Sequence, residues 1–182
     1  MVTKEERYVV LPLMKWFKGQ KAAWRLEKPR FGTSATGWDI EAHRHNLDLL
    51  VEAKYMDNSS FLASFTGLVT APLAKRPQRF MFRKYRGWSH GICWAMGTNN
   101  THWGMYQIMF DYFARNLPFW RHYAKDVKMK YIFFIQKGRV AKIPFGKILQ
   151  LAAQYQKVAY GRNQKGRKVV AETLLRRALK FG

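Results

Sequence analysis

Apolar residues recur along the chain at two spacings, and the spacing predicts which segments are helices and which are strands. Helical spacing favours helices over residues 3–18, 58–70, 101–116, 146–160 and 168–180. Short alternating or continuous apolar runs favour strands over residues 22–27, 38–44, 47–55, 92–97, 131–136 and 139–144. The sequence therefore predicts an α/β fold in which helices flank a mixed β-sheet. Since no repeat or low-complexity linker interrupts the pattern, we expect residues 1–182 to form one domain.

Capping and breaking residues refine these boundaries. Thr3 and Glu6 have the spacing of a capping box at the start of the first helix, whereas Pro12 predicts a kink or a break within it. Pro118 is expected to end the helix that precedes it. One further turn is expected at residues 119–125.

Acidic residues fall on a predicted hairpin near the start of the sheet. If His45 and Asn46 form its turn, residues whose numbers add up to 91 face each other across the two strands. Asp39 then lies directly opposite Glu52, and strand alternation brings Lys54 to the same face as Glu52. The sequence therefore predicts two carboxylates and an amine on one face of the sheet.

The charge of the chain is strongly positive. Thirty-three Lys and Arg residues against eleven Asp and Glu residues give a formal net charge of +22 at pH 7. Such an imbalance favours a polyanionic partner, because like charges on a folded chain repel each other. Nucleic acid is the first candidate, an anionic membrane surface and the ribosome are others, and a basic protein without such a partner is the simplest alternative. The acids are unevenly spread: residues 58–110 and 127–171 contain none, whereas five of the eleven lie within residues 39–57.

The acidic residues within 39–57 are unexpected in a chain that is expected to bind phosphates, because carboxylates repel phosphate unless a metal ion lies between them. In phosphodiester hydrolysis, one or two divalent ions held by carboxylates can both activate the attacking water and neutralise the charge of the transition state. Mg²⁺ needs only one or two protein carboxylates, with phosphate oxygens and water as further ligands. Asp39 and Glu52 supply carboxylates, and Lys54 supplies an ammonium group that stabilises negative charge. The alternative interpretation of Glu52 and Lys54 is an ordinary solvated strand face.

Two short motifs carry a family resemblance. The segment GWDIE at residues 37–41, followed by LLVEAK at residues 49–54, resembles the PD-(D/E)XK nuclease superfamily, which has the restriction-endonuclease-like fold. In that superfamily an acidic residue on one core strand precedes a Glu-x-Lys on the next strand, after an apolar run. The resemblance covers roughly residues 5–55, and beyond them only the order of elements is similar. Trp38 replaces the proline that often precedes the acid, a common departure in the superfamily.

The resemblance implies a role for each residue of the motif. Asp39 and Glu52 would bind Mg²⁺, for which Mn²⁺ can substitute. The backbone carbonyl of Ala53 would add a further ligand, and Lys54 would activate the attacking water.

Three further glutamates are candidates for the same site. Many members of the superfamily have a glutamate on the first helix that completes the site, and the resemblance implies Glu6, with Glu5 as the alternative. The capping box gives Glu6 a purely structural alternative, as the partner of Thr3. Glu41 is expected to share a strand face with Asp39, where it is either an auxiliary ligand or a surface residue.

A basic loop is expected over residues 75–91, where cations are interleaved with aromatic residues and no acid occurs. Its candidates for phosphate contacts are Lys75, Arg76, Arg79, Arg83, Lys84 and Arg86. Exposed rings can stack on unpaired bases, whereas rings that pack into the core would leave a solvated loop. The basic C-terminal helical region, residues 157–182, is a second candidate surface, in which Glu172 and Arg176 have the spacing of a solvated helical pair.

The resemblance also implies a reaction, the Mg²⁺-dependent endonucleolytic cleavage of DNA. Small basic members of the superfamily without a specificity domain include Holliday junction resolvases, so by analogy we expect a structure-specific endonuclease that acts as a homodimer. A restriction or repair endonuclease of the same fold is the near alternative. From a different class, a non-catalytic nucleic-acid-binding protein or a ribosome-associated factor would need the charge but not the three residues of the motif.

Two features bear on the compartment. Cys93 is the single cysteine, so the chain forms no internal disulfide. Residues 1–7 are polar and charged, and the apolar run over residues 8–14 is far shorter than the roughly 20 residues of a membrane span. We therefore expect a cytoplasmic protein whose partner is DNA and not a membrane.

Overall fold

The computed structural model describes residues 2–27, 38–45, 47–57, 61–74, 89–98 and 103–181. Within these ranges the strands are β1 (Arg25–Glu27), β2 (Ile40–Arg44), β3 (Leu47–Tyr55), β4 (Ser89–Thr98), β5 (Met129–Gln136) and β6 (Arg139–Pro144). A π-helical turn (Glu6–Val10) leads into α1 (Leu11–Lys18), and the later helices are α2 (Phe61–Ala74), α3 (Trp103–Arg115), α4 (Leu117–Asp126), α5 (Phe145–Ala159) and α6 (Gln164–Ala178). None of the helices in the described ranges is long and apolar enough to cross a membrane.

The strands form one mixed sheet in the order β1-β2-β3-β4-β5-β6. The pairs β1–β2, β2–β3 and β5–β6 are antiparallel, whereas β3, β4 and β5 run parallel. Parallel neighbours need a crossover connection. Helix α2 lies in the crossover from β3 to β4, and α3 and α4 lie in the crossover from β4 to β5. The expected α/β fold, a mixed sheet flanked by helices, is confirmed.

The pairing of β2 with β3 has the register that the hairpin turn predicts. Ile40 lies opposite Val51, so the paired residue numbers add up to 91, and this register continues to the turn. Strand β2 begins at Ile40 instead of Trp38, because the backbone bends at Asp39. The N–H of Asp39 donates to the carbonyl of Val51 at 3.0 Å, one residue out of register. The expected direct pairing of Asp39 with Glu52 is therefore wrong in this detail.

The sheet has a hydrophobic core on each face. On one face, the π-helical turn and α1 pack on the strands through residues such as Val9. On the other face, Trp94 of β4 is fully buried and contacts aromatic rings from α2, α3 and α4. Tyr106, Phe110 and Phe113 of α3 belong to this second core, as their helical spacing indicates.

Strand β3 contributes to both faces. Val51 and Ala53 are buried in the core under α1. Because successive side chains of a strand point to opposite faces, Glu52 and Lys54 lie on the face that α2 covers. Glu52 and Lys54 thus share one face, as expected.

The N-terminal helical segment, residues 4–18, begins as predicted and continues through Pro12 without a break. The Thr3 hydroxyl accepts a hydrogen bond from the N–H of Glu6 at 3.1 Å, which is half of the expected capping box. In a regular α-helix the ring of Pro12 would clash with the carbonyl of Tyr8. The π-helical turn Glu6–Val10 widens the helix at this point, and α1 follows directly.

Several boundaries differ from the expected ones. Helix α2 ends at Ala74 instead of residue 70, and α6 begins at Gln164 instead of residue 168. Strand β1 has three residues instead of six. Residues 89–91 begin β4 instead of ending the basic loop, because they pair with residues 47–49 of β3. Residues 117–126 form a ten-residue helix instead of one turn. Asn116 caps this helix, since its side chain accepts a hydrogen bond from the N–H of Phe119 at 3.4 Å.

Gly97 of β4 allows a close approach to the N-terminal helical segment. An added Cβ would lie 2.6 Å from Val9 Cγ2 and 2.8 Å from the carbonyl oxygen of Tyr8, so the segment would have to move. We expect Gly97→Ala to lower the free energy of unfolding by about 1–3 kcal/mol, the usual cost of overpacking. Urea unfolding followed by circular dichroism measures the change.

Gly146→Ala in α5 is the control for this substitution. No described atom lies within 4 Å of the Cβ that it adds, so its stability should equal or exceed that of the parent. Equal stability of the two alanine variants would contradict the close packing at Gly97.

Candidate active site

Asp39 lies in a bend just before β2 and is tied to β3 by two hydrogen bonds. Its N–H donates to the carbonyl of Val51, and its Oδ2 accepts a hydrogen bond from the N–H of Ala53 at 2.8 Å. The second bond holds the carboxylate against the stretch of β3 that contains Glu52 and Lys54. The structure thus brings the acid of the first motif to the Glu-x-Lys segment of the second.

Glu52 and Lys54 differ in their surroundings. Glu52 is buried, with 8% of its surface exposed, and a buried carboxylate needs compensation by nearby charge or hydrogen bonds. Lys54 is half-buried beside α2, where a Cβ added to Gly67 would lie 3.2 Å from its Cε and 3.8 Å from its Nζ. Gly67 therefore leaves room for the lysine side chain. Sequence reasoning gave no role to Gly67, because its contact with Lys54 depends on how α2 packs on the sheet.

The N-terminal helical segment adds Glu5 to this group. The pKa of Glu5 is raised from 4.5 to about 7, first by burial and then by repulsion from Asp39. Lys54 acts in the opposite direction, whereas Glu52 and Glu6 raise the pKa further. Glu5, Asp39, Glu52 and Lys54 are therefore close enough to interact electrostatically. We call these four residues the carboxylate–lysine cluster.

The two N-terminal glutamates have different positions relative to the cluster. Glu6, which the resemblance favours, has its backbone N–H on the Thr3 hydroxyl, and its charge has the weakest of the effects on the pKa of Glu5. Glu5 is half-buried and interacts with Asp39 and Lys54. The structure therefore favours Glu5 over Glu6 as the glutamate that completes the cluster.

Aromatic contacts hold the start of the N-terminal helical segment at the end of β3. Lys4 Nζ lies 5.7 Å from the ring centroid of Tyr55, and the ring of Tyr8 lies 5.7 Å from the same ring. Tyr55 is the last residue of β3 and directly follows Lys54. These contacts explain why Glu5, which is distant in sequence, lies beside the motif strand.

Glu41 belongs to a different group. Its Oε2 lies 3.4 Å from His43 Nε2. Burial raises the pKa of Glu41, His43 lowers it, and Glu27 and Asp48 raise it further. Since Asp39 is not among the charges that shift this pKa, the described contacts do not support Glu41 as an auxiliary ligand of the carboxylate–lysine cluster.

The candidate nucleic-acid contacts are described only in part. The predicted phosphate contacts of the basic loop lie outside the described residues, namely Lys75, Arg76, Arg79, Arg83, Lys84 and Arg86. In the basic C-terminal region, the exposed cations are Lys157, Arg162, Lys165, Lys168, Arg176, Arg177 and Lys180. Arg176 Nη2 lies 2.7 Å from Glu172 Oε1, which confirms the predicted helical pair.

Comparisons with protein-family models, with curated proteins and with solved structures found no match for this chain. The resemblance to a nuclease superfamily therefore rests on the motifs at residues 37–41 and 49–54. The chemistry of the site rests on the geometry of the carboxylate–lysine cluster. Its three carboxylates offer hard oxygen ligands, which are the ligands that Mg²⁺ prefers.

Glu5 allows a test of the cluster that needs no activity. Glu5 ionises near pH 4.5 in the unfolded chain and near pH 7 in the folded protein, so the folded state retains a proton that the unfolded state has released. This contribution to stability is complete below pH 4.5 and is lost as the pH rises to 7 and above. We therefore expect Glu5→Gln to gain stability relative to the parent as the pH rises.

Urea unfolding in EDTA at about pH 4 and about pH 8 brackets this window. Glu172→Gln is the control, because Glu172 lies in the exposed helical pair with Arg176. Its stability relative to the parent should change little over the same range. The same small change for Glu5→Gln would contradict the burial of Glu5 among carboxylates.

Proposed function

We propose that this chain is a Mg²⁺-dependent endonuclease that hydrolyses phosphodiester bonds in DNA. The observation that carries the proposal is the hydrogen bond from the N–H of Ala53 to Asp39, which fixes one carboxylate beside Glu52 and Lys54. The net charge of +22 supports a nucleic-acid partner. Carboxylates at the site of phosphate binding are favourable only if a cation is held there too, so the two observations support the same reaction.

The donor set of the carboxylate–lysine cluster fits Mg²⁺. Glu5, Asp39 and Glu52 offer carboxylate oxygens. Burial raises the pKa of Glu5, repulsion from Asp39 and Glu52 raises it further, and a divalent cation would relieve that repulsion. In the proposed site, Asp39 and Glu52 would hold the ion together with the backbone carbonyl of Ala53, and Glu5 would complete the set. A bound ion would help to activate the attacking water and would neutralise the charge that develops on the phosphate. Mn²⁺ is expected to substitute.

The other roles belong to the chain's own cations. Lys54 lies against Gly67 of α2, so its ammonium group is held near the carboxylates instead of extending into solvent. It donates a hydrogen bond to the attacking water or to a phosphate oxygen and stabilises the negative charge that develops there. The basic residues predicted for the loop and those of the basic C-terminal region would neutralise phosphates of the DNA, which positions the DNA without reading its bases.

The preferred DNA and the assembly follow from the family resemblance. We infer a structure-specific substrate such as a four-way junction, cleaved by a homodimer, because small basic nucleases of this superfamily include junction resolvases. A restriction or repair endonuclease of the same fold is the near alternative. Incubation with duplex, single-stranded, flapped and four-way DNA, in Mg²⁺ or in EDTA, distinguishes these substrates.

Substitutions in the cluster test the proposed chemistry. We expect Asp39→Asn and Glu52→Ala to abolish cleavage, because each removes a metal ligand. Both should bind DNA as tightly as the parent or more tightly, because each also removes repulsion of phosphate. Lys54→Ala should lower the rate by about 10²–10³-fold, as expected for the loss of one group that stabilises the transition state. Glu172→Gln is the matched control and should cleave at the parental rate.

Cleavage of labelled DNA and binding in EDTA are measured for each variant. Unchanged cleavage by all three cluster variants would place the active site elsewhere. Tight, strongly salt-dependent binding by a parent that cleaves none of the DNA substrates would favour the alternative, a non-catalytic nucleic-acid-binding protein, for which the charge of +22 is sufficient.

A further inference from the structure

A second group of acids lies on the same face of the sheet, at the opposite end of β2 and β3. Glu27 of β1 pairs with Glu41 of β2, and His43 of β2 pairs with Asp48 of β3. His43 Nε2 lies 3.4 Å from Glu41 Oε2 and 3.8 Å from Glu27 Oε2. One ligand atom from each of Glu27, Glu41 and His43 can thus meet, with all three atoms within 4.8 Å of one another. We call these three residues the Glu–Glu–His group.

The imidazole of His43 is oriented by Asp48. His43 Nδ1 lies 2.6 Å from Asp48 Oδ1, and the Asp48 side chain is only 5% exposed. A carboxylate accepts hydrogen bonds, so Nδ1 donates, and in the neutral ring the lone pair is on Nε2. Nε2 is buried and has no hydrogen-bond partner among the described residues. Nε2 of His43 is therefore a buried nitrogen that lies within 4 Å of a carboxylate oxygen of Glu27 and of Glu41.

The charges around this nitrogen favour a cation. Arg25 Nη1 lies 3.1 Å from Glu27 Oε1, and the other oxygen, Oε2, is the one that faces His43. Glu41 lies opposite Glu27 across the β1–β2 pair, and Asp48 lies on the other side of the imidazole, so three carboxylates surround His43. A cation between the two glutamates and Nε2 would compensate the negative charge and give Nε2 a partner.

We propose that Glu27, Glu41 and His43 bind a divalent transition-metal ion of the Zn²⁺ class, with Asp48 orienting the imidazole. A carboxylate that accepts the other N–H of a metal-bound histidine is a common feature of such sites. Imidazole is a ligand typical of Zn²⁺ and its neighbours, whereas Mg²⁺ prefers oxygen ligands alone. The Glu–Glu–His group thus differs in metal preference from the carboxylate–lysine cluster.

The proposed ion has a structural role. It joins Glu27 of β1 to Glu41 and His43 of β2, and β1 is a three-residue strand at the edge of the sheet. The nearest candidate ligands of the two groups, Asp39 and Glu41, are two residues apart, which corresponds to about 7 Å at strand spacing. The two groups share no residue, so zinc binding at the Glu–Glu–His group does not depend on nuclease activity.

Zinc titration of the full chain tests the proposal. Metal is first removed with EDTA, the EDTA is removed by dialysis, and Zn²⁺ binding is followed by isothermal titration calorimetry. Asp39→Asn serves as the parent, because this substitution weakens zinc binding at the carboxylate–lysine cluster. We expect one zinc per chain in this background, and loss of that zinc after adding His43→Ala or Glu41→Gln. Asp48→Asn should weaken zinc binding by about 10–100-fold, as for other groups that orient a metal-bound histidine.

His122→Ala is the matched control, because it also removes one histidine but lies exposed on α4. It should keep the full stoichiometry. Thermal unfolding is a second readout: Zn²⁺ should raise the Tm of Asp39→Asn and of His122→Ala, but not of the variants that lack His43 or the Glu41 charge. Because Glu41→Gln conserves the size of the side chain, its zinc binding tests the proposal even if His43→Ala does not fold.

Two results would overturn the proposal: no zinc bound by Asp39→Asn, or equal zinc binding after Glu41→Gln. Either can occur with an active or an inactive nuclease, so this test and the cleavage test fail independently.

Discussion

The pairing of β2 with β3 determines which side chains can meet in this protein. Ile40, Val51 and Ala53 are fully buried under the N-terminal helical segment, and a shift of one residue in the pairing would turn such residues to the other face. Hydrophobic packing therefore fixes the register. The register, in turn, brings Glu52 to the opposite face, and the bend that precedes β2 brings the carboxylate of Asp39 to the N–H of Ala53. The position of the polar groups on one face follows from the packing of apolar groups on the other.

The two acidic groups on this face differ in the charges and ligands that surround them. In the carboxylate–lysine cluster, Lys54 is the positive charge that opposes the repulsion of Glu5 by other acids, and the candidate ligand atoms are oxygens. In the Glu–Glu–His group, Arg25 forms an ion pair with Glu27 at the edge of the sheet. One of the candidate ligand atoms is the buried imidazole nitrogen of His43. Such differences favour a hard cation in the first group and a borderline metal in the second. The chain has a net charge of +22, yet the carboxylates of both groups would repel a phosphate unless a cation were bound to them.

Patterns that depend on local spacing were predicted well from the sequence. The apolar alternation and the turn gave the correct register of β2 and β3, and helical spacing identified Tyr106, Phe110 and Phe113 as core. The helix α4 was missed because Pro118 was interpreted as a stop, whereas Asn116 and Pro118 together are typical of a helix start.

Features that depend on tertiary packing were not predictable in the same way. The choice between Glu5 and Glu6 depends on the π-helical turn, which changes the helical phase, so a spacing of 3.6 residues cannot decide it. The Glu–Glu–His group has no signature in the spacing of residues along the chain. Glu27 reaches His43 only through the pairing of β1 with β2, for which the sequence contains no local signal.

The central claim is that the carboxylate–lysine cluster holds the divalent ion on which DNA hydrolysis depends. Anomalous diffraction from crystals of the full chain soaked in Mn²⁺ tests it most directly, because the signal locates the ion without any assumption about activity. The account predicts an anomalous peak within coordination distance of the carboxylates of Asp39 and Glu52, which disappears in Asp39→Asn crystals. A peak only at the Glu–Glu–His group, or no peak at Asp39 in crystals where the cluster is accessible to solvent, would contradict it.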